Sequence, residues 1–238
     1  MPRFYVDEAL RPGSTCVLSE DSAHHAMHVL RIRPGDAVTL FNGRGGEYPS
    51  RVAAIERRKV MVDVLSHDPV ERESPLHVTL VQGVSAGEKM DFTIRKAVEL
   101  GVAEIRPVLA AASVARPKAE RAAARHGHWQ RIAISACEQC GRNRIPAVHS
   151  LLPVAEYRPA NEATRILLSP RSQLAFTKVE FKETILLAAG PEAGFNAEEE
   201  AAFARAGFVP AQLGPRVLRT ETAALAAIAA LSALKGDF

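Results

Sequence analysis

The rhythm of apolar residues changes near residue 75. Before it, short apolar runs at residues 15–18, 37–41, 51–55 and 60–65 are separated by the turn-forming stretches PGD, NGRGG and ERRK. Runs of that length, bounded by glycine, proline and charged turns, predict short strands. Only residues 21–31 carry a helical rhythm in this part, so it reads as a small β-barrel-like domain with one helix. The segment SHDPVERESP, residues 66–75, is polar, charged and closed by proline. It marks a boundary, with domains at 1–70 and 74–238.

Beyond the boundary, continuous apolar runs alternate with helix-period segments. HVTLVQGV reads as a buried strand, and in the following EKMDFTIRKAVELG the residues Met90, Ile94, Ala97, Val98 and Gly101 share one helical face. EIRPVLA, a long helix around Trp129 to Cys140, RILLSP, ETILLAAG, AEEEAAFARAG, FVPAQLG and a final alanine-rich helix continue the alternation. This pattern predicts an α/β domain with a largely parallel sheet. Asn196 is placed to cap the AEEE helix, with Glu198, Glu199 and Glu200 opposing the positive end of its dipole. Thr220 is expected to cap the last helix in the same way, and Gly236 to stop it.

Composition adds bounds rather than chemistry. With 47% apolar but only 5% aromatic residues, the core must rest on aliphatic side chains. The formal charge is +3, and the middle of the chain, residues 73–150, carries eleven basic against seven acidic groups. A mild basic face suits a polyanion without requiring one. No apolar run follows the early Arg3, and the longest apolar stretch, 223–234, is well short of the roughly 20 residues of a membrane span. A cytoplasmic protein with no membrane partner is expected.

Three cysteines, Cys16, Cys137 and Cys140, argue against a disulfide framework. Cys137 and Cys140 form a CxxC late in a helical pattern, where small packing residues are the simpler reading than zinc or redox ligands. His24 and His28 are four apart, but the glutamate of an HExxH pair and a third ligand are missing, so no metal is expected.

Candidate chemistry concentrates in the C-terminal half. In LLAAGPEAGFNAEEE a buried strand runs into the turn Gly190, Pro191, Glu192, Ala193, Gly194 and then a capped helix. Ligands of open α/β sheets bind beyond the carboxyl ends of strands, although an ordinary tight connection would look the same. In LGPRVLRTETAALAAIAAL, Gly214 again follows a strand, and Arg216, Arg219 and Glu221 crowd a helix entrance. Two such strand ends suggest a shared site, against the alternative of a solvated helix start. GxGxxG and GxxxxGK are both missing, which leaves no dinucleotide fingerprint or P-loop to argue from. GRGG at 43–46 reads as a hairpin turn.

The phrases GEKMDFTIRKAVELGV, ISACEQCGRNRIPAV, AAGPEAGF and LGPRVLRTETA resemble, in order and spacing, the RsmE group of SPOUT methyltransferases. HHAMHVLRIRPGDAVTLFNGRGGEY is similar to that family's PUA-like RNA-binding domain. The resemblance implies an α/β domain with a C-terminal trefoil knot, a feature too rare to propose from periodicity. It also implies a homodimer acting on N3 of a uridine in 16S ribosomal RNA of the small subunit, with S-adenosylmethionine held by three loops. These fall at Leu168, Ser169 and Pro170, at Gly190 to Gly194, and at Leu213, Gly214, Arg216, Val217, Leu218 and Arg219. Ala193 stands where the family usually has a second glycine. A ribose 2′-O methyltransferase of the same superfamily and a non-catalytic RNA-binding or ribosome-assembly factor remain alternatives.

N3 of uridine is a poor nucleophile until its proton leaves, so the chemistry calls for alignment, exclusion of water and stabilisation of the uridinate anion, without a metal. Arginine suits the last task because its guanidinium stays charged and donates to ring oxygens. The candidates facing the nucleotide are Arg142, Arg144 and Arg219, with Gln139 as a hydrogen-bonding partner. Glu192 is expected to orient its loop or to act as general base, and Glu221 to brace an arginine. Arg3, Arg31 and Arg33 are candidates for RNA phosphate, a contact that fixes register without reading sequence.

Overall fold

Among the first 65 residues, four of the five strands alternate between a buried face and a more exposed one, and the strand over 37–41 is buried at all but its first residue. A computed structural model describes residues 1–112, 119–159 and 163–238. Its contacts form two compact units, residues 1–73 with 134–145, and residues 74–133 with 146–238.

In the first unit, β1 (Arg3–Tyr5), β2 (Thr15–Val17), β3 (Ala37–Phe41), β4 (Tyr48–Glu56) and β5 (Lys59–Val64) pair in the order β1-β3-β4-β5-β2. All neighbours are antiparallel except β1 on β3. A register shift between Val52 and Ala54 in β4 gives the local bend that curls a small sheet. Val60, Val62 and Val64 point inward from β5 and meet Phe4, Val38 and Leu40. The helix expected over 21–31 is split into α1 (Glu20–His24) and a π-helical turn, His25–Val29, ended by Arg31 at φ 54°. That turn brings the His24 and His28 rings together, tilted at 43° with centroids 4.5 Å apart. Among the described residues no group of three or more His, Cys, Asp or Glu is placed to hold a metal.

Residues 134–145 complete this unit with a buried polar seam. Asn143 Nδ2 donates to the Val70 carbonyl at 2.7 Å, and its Oδ1 accepts from Arg3 at 2.6 Å. Arg3 also donates to Glu47 at 2.6 Å and lies over the Phe41 ring. Arg142, 4% exposed, forms a two-point ion pair with Glu73. Burial pushes the Cys137 thiol up to about 12, and its sulfur bonds the Arg144 carbonyl at 3.6 Å, as befits a packing residue.

The second unit is built on β6 (His77–Gly83), β7 (Glu104–Leu109), β8 (Ala147–Val148), β9 (Leu152–Pro153), β10 (Thr164–Leu168), β11 (Thr184–Ala189) and β12 (Val209–Ala211). Its order is β12-β10-β11-β6-β7-β8, with β9 also on β7, and every pairing is parallel. Residues 78–83 of β6 and 185–189 of β11 are buried throughout, which is why these strands read as unbroken apolar runs. The helices after β6 are α2 (Glu88–Glu99), α3 (Ala119–Cys140), whose residues from Ile134 on belong to the first unit, α4 (Ala197–Arg205) and α5 (Thr220–Lys235). Met90, Ile94, Ala97 and Val98 form the buried face of α2, which packs on α5. Small residues of α5, Ala224 and Ala227, let it lie close against α2, β6 and β11.

Asn196 and Glu199 form a reciprocal capping box, each side chain accepting from the other's backbone amide at 2.8 and 3.0 Å. Gly236 ends α5 as expected. Thr220 differs from its expected role. Arg219 is the N-cap, without a side-chain cap, and Thr220 is the first helical residue with its hydroxyl turned inward. Burial decides this, because Thr220 meets buried polar partners that a solvent-facing cap would leave unpaired. Among the described residues no helix is long and apolar enough to cross a membrane.

Candidate active site

β10 and β11 are adjacent and in register, Leu167 opposite Ala188, so the chain leaves both strands side by side at Ser169 and Gly190. A cavity of about 520 Å³ opens there, at the carboxyl ends where parallel sheets bind ligands. Leu168, Ser169 and Pro170 line it, as do Gly190, Pro191, Glu192, Ala193 and Gly194, and then Val217, Leu218 and Arg219. Leu213, Gly214 and Arg216 are not among its walls; Gly214 turns the exposed chain at φ 91° before the loop reaches the cavity.

The middle loop is tight for identifiable reasons. A Cβ on Gly190 would stand 3.0 Å from Gly194 Cα, and Gly194 itself is left-handed at φ 73°, donating to the Pro191 carbonyl at 2.8 Å. Ala193 needs no glycine, because the non-glycine residues with positive φ among those described are Arg31 and Arg57. Thr220 Oγ1 donates to the Gly190 carbonyl and accepts from Gln82 Nε2 at 3.1 Å. A fully buried side chain of β6 thereby ties the start of α5 to the β11 loop.

Electrostatics separates the acidic groups. Burial pushes the Glu192 carboxyl up. Donation from its own backbone amide, from Lys89 at 3.0 Å and from the Ala86 amide at 3.2 Å outweighs this and holds it below the ordinary carboxylate range. Such a carboxylate orients its loop well and accepts protons poorly. Glu221 takes part in none of the ion pairs found among the described residues, and its Oε2 is buried without a hydrogen-bond partner. The arginine it was expected to brace is therefore not engaged with it. Arg219 is exposed at the cavity wall.

Residues 72–232 match the model of an RNA methyltransferase domain. The chain belongs to this RNA methyltransferase family. Residues 18–65 match an RNA methyltransferase PUA domain, in agreement with the curled sheet of the first unit. The chain is 34% identical, over all of its length and 95% of the relative's, to the ribosomal RNA small subunit methyltransferase E of Buchnera aphidicola from Acyrthosiphon pisum. Its Bacillus subtilis counterpart is 28% identical, with all of both chains covered. Among solved structures, a ribosomal RNA small subunit methyltransferase E from Neisseria gonorrhoeae bound to S-adenosyl methionine superposes with a TM-score of 0.92 at 41% identity, covering 100% of this chain and 99% of that one. A Legionella pneumophila methyltransferase in complex with its cofactor SAM gives 0.95 at 37%, covering 99% and 98%.

The cavity also has walls that the sequence did not announce. Lys89 reaches it from the first turn of α2, and Thr220 from the first turn of α5. Lys89 stood inside a recognised phrase, GEKMDF, but nothing in its spacing announced Glu192 as its partner. The remaining candidates lie in the first unit. Arg3 and Arg142 are committed to Glu47, Asn143 and Glu73, whereas Gln139, Arg31 and Arg33 are exposed. Arg144 is exposed with a loose 3.5 Å pair to Glu71.

A second cavity, of about 710 Å³, lies between the end of β7 and α4. Several of its polar groups are already spent. Glu199 serves the capping box and the Ala111 amide, and Arg158 donates to the Ala155 and Tyr157 carbonyls. It offers a ligand less than the loop-lined cavity does.

Proposed function

We propose that this chain transfers a methyl group from S-adenosylmethionine to N3 of a uridine in the 16S RNA of the small ribosomal subunit, as a cytoplasmic homodimer. The observation that carries the reading is the cavity at the ends of β10 and β11, in a chain that is similar, over its whole length, to relatives named ribosomal RNA small subunit methyltransferase E and to methyltransferases solved with S-adenosylmethionine bound. The residues present fit such a group. Leu168, Leu218 and Phe195 offer apolar walls for a nucleoside, the 190–194 turn supplies backbone groups, and Glu221 holds an unpartnered buried oxygen. A path from edge strand β12 back across the sheet to α5 beside β6 and β11 favours the knotted C-terminus that the resemblance implies.

When bound, S-adenosylmethionine supplies an electrophilic methyl on a cationic sulfur. The chain's own part is to hold, dry and polarise. Thr220 and Gln82 fix the Gly190 carbonyl, so the loop is set before any ligand arrives, and preorganisation of this kind lowers the cost of reaching the transition state. Glu192 keeps that loop against Ala86 and Lys89. Arg219, exposed at the cavity wall, is the group we assign to the uracil oxygen on which charge develops as N3 loses its proton. Arg142 is better read as a brace for its own unit, since its guanidinium is buried against Glu73.

Methyl transfer to purified, unmodified small ribosomal subunits, followed by nucleoside analysis of the digested RNA, tests the assignment. The expected product is 3-methyluridine. Methyl on a ribose 2′-oxygen would move the chain to a different reaction, and no incorporation would favour a binding or assembly role.

A further inference from the structure

The cavity contains a carboxylate oxygen without a hydrogen-bond partner among the described residues. Glu221 lines it from the first turn of α5, and its Oε2 is buried yet accepts no hydrogen bond. A buried carboxylate oxygen without a donor is costly, and native structures keep one only where something else satisfies it. The candidates inside the chain are engaged elsewhere or turned away. Lys89 is paired with Glu192, Thr220 donates to Gly190, and Arg219 makes no ion pair with Glu221. Position in the first turn gives Glu221 some help from the helix dipole. That help falls on the whole carboxylate and supplies no donor to the buried oxygen.

We infer that Glu221 is a cofactor-discriminating residue whose carboxylate meets the positive charge on the methionine portion of S-adenosylmethionine, the α-ammonium or the sulfonium. The inference rests on the reading of this cavity as the S-adenosylmethionine site. A cation delivered by the ligand would fill the missing bond, and a charge-assisted contact of this kind is stronger than one between neutral groups. It also predicts selectivity, because an adenosine thioether lacking the amino-acid chain offers neither charge.

Calorimetry with the full chain and its Glu221→Gln variant tests this, using S-adenosylmethionine, S-adenosylhomocysteine and 5′-methylthioadenosine. Glutamine keeps the size of the side chain and removes its charge. The variant should bind S-adenosylmethionine roughly ten- to a hundredfold more weakly. Its affinity for the neutral methylthioadenosine should be unchanged, which also reports that the cavity is folded. A matching loss for S-adenosylhomocysteine identifies the ammonium as the partner, and a loss confined to S-adenosylmethionine identifies the sulfonium. Equal weakening for all three compounds, or none for any, overturns the inference while leaving the cofactor reading intact. Wild-type protein that takes up none of them overturns both.

Discussion

Gln82 and Thr220 are 138 residues apart in sequence and 3.1 Å apart in space, the amide of one donating to the hydroxyl of the other. Because the Thr220 hydroxyl in turn donates a hydrogen bond to the Gly190 carbonyl, three segments share one short hydrogen-bond relay. Thr220→Val keeps the shape, strips the Gly190 carbonyl of the Thr220 hydroxyl and leaves Gln82 Nε2 with the Gly83 carbonyl alone, which should destabilise by about 1–3 kcal/mol. It should also weaken S-adenosylmethionine binding, whereas Thr220→Ser should retain wild-type affinity. Thermal melts and calorimetry on the pair check this; a valine variant indistinguishable from wild type would show the relay to be idle.

Gly194 tests the loop by backbone alone. A Cβ there meets nothing within 4 Å, so only its φ of 73° penalises a side chain. Gly194→Ala should therefore cost about 1–2 kcal/mol, read as a lower melting temperature with weaker cofactor binding. Ala193→Gly, at a position with an ordinary backbone, should gain nothing and lose up to about 1 kcal/mol through unfolded-state entropy. Tighter cofactor binding by Ala193→Gly would mean that the loop does need the glycine usual in the family.

Two arginines that look alike in sequence should fail differently. Arg142→Met strands Glu73, whose side chain is 25% exposed, and should cost about 3 kcal/mol, the low end for a broken buried pair. Arg219→Ala removes an exposed charge, so its melting temperature should stay within about 2 °C of wild type while methyl transfer falls by at least about a hundredfold. Differential scanning calorimetry beside a methyl-transfer assay separates them. A folded Arg219→Ala enzyme with normal turnover would remove Arg219 from the site.

Acid stability should report Glu47. The Arg72 guanidinium bonded to it, aided by Arg3 and working against burial, lowers its carboxyl from 4.5 to about 2. A carboxyl lowered on folding stabilises above its unfolded value, and that contribution disappears as pH falls through the folded one. Unfolding free energy of the wild type should therefore decline between about pH 4.5 and pH 2, and Glu47→Gln should flatten that limb. An unchanged slope in denaturant titrations at those pH values would refute the role.

Much of the architecture was legible because it depends on local pattern. Unbroken apolar runs announced β6 and β11, and Asn196 before the AEEE run announced the helix cap, though not that Glu199 would return the bond. The Gly190–Gly194 turn could be singled out because glycine and proline after a buried strand restrict the backbone. What escaped depended on distant partners. Thr220 beside Glu221 looks like an ordinary helix cap until Gln82 arrives from a strand far earlier in the chain. Arg3 and Arg142 looked like ligands for phosphate and base, since a sequence does not show that Glu47, Asn143 and Glu73 will enclose them. The π-helical turn at His25–Val29 had no signature in the apolar rhythm.

A crystal structure of the chain with S-adenosylmethionine should show ligand density in the cavity of about 520 Å³, touching the loops at Ser169, Gly190 and Leu218, with Glu221 beside the methionine portion. Density lodged between β7 and α4, or anywhere that leaves those three loops empty, would contradict that placement.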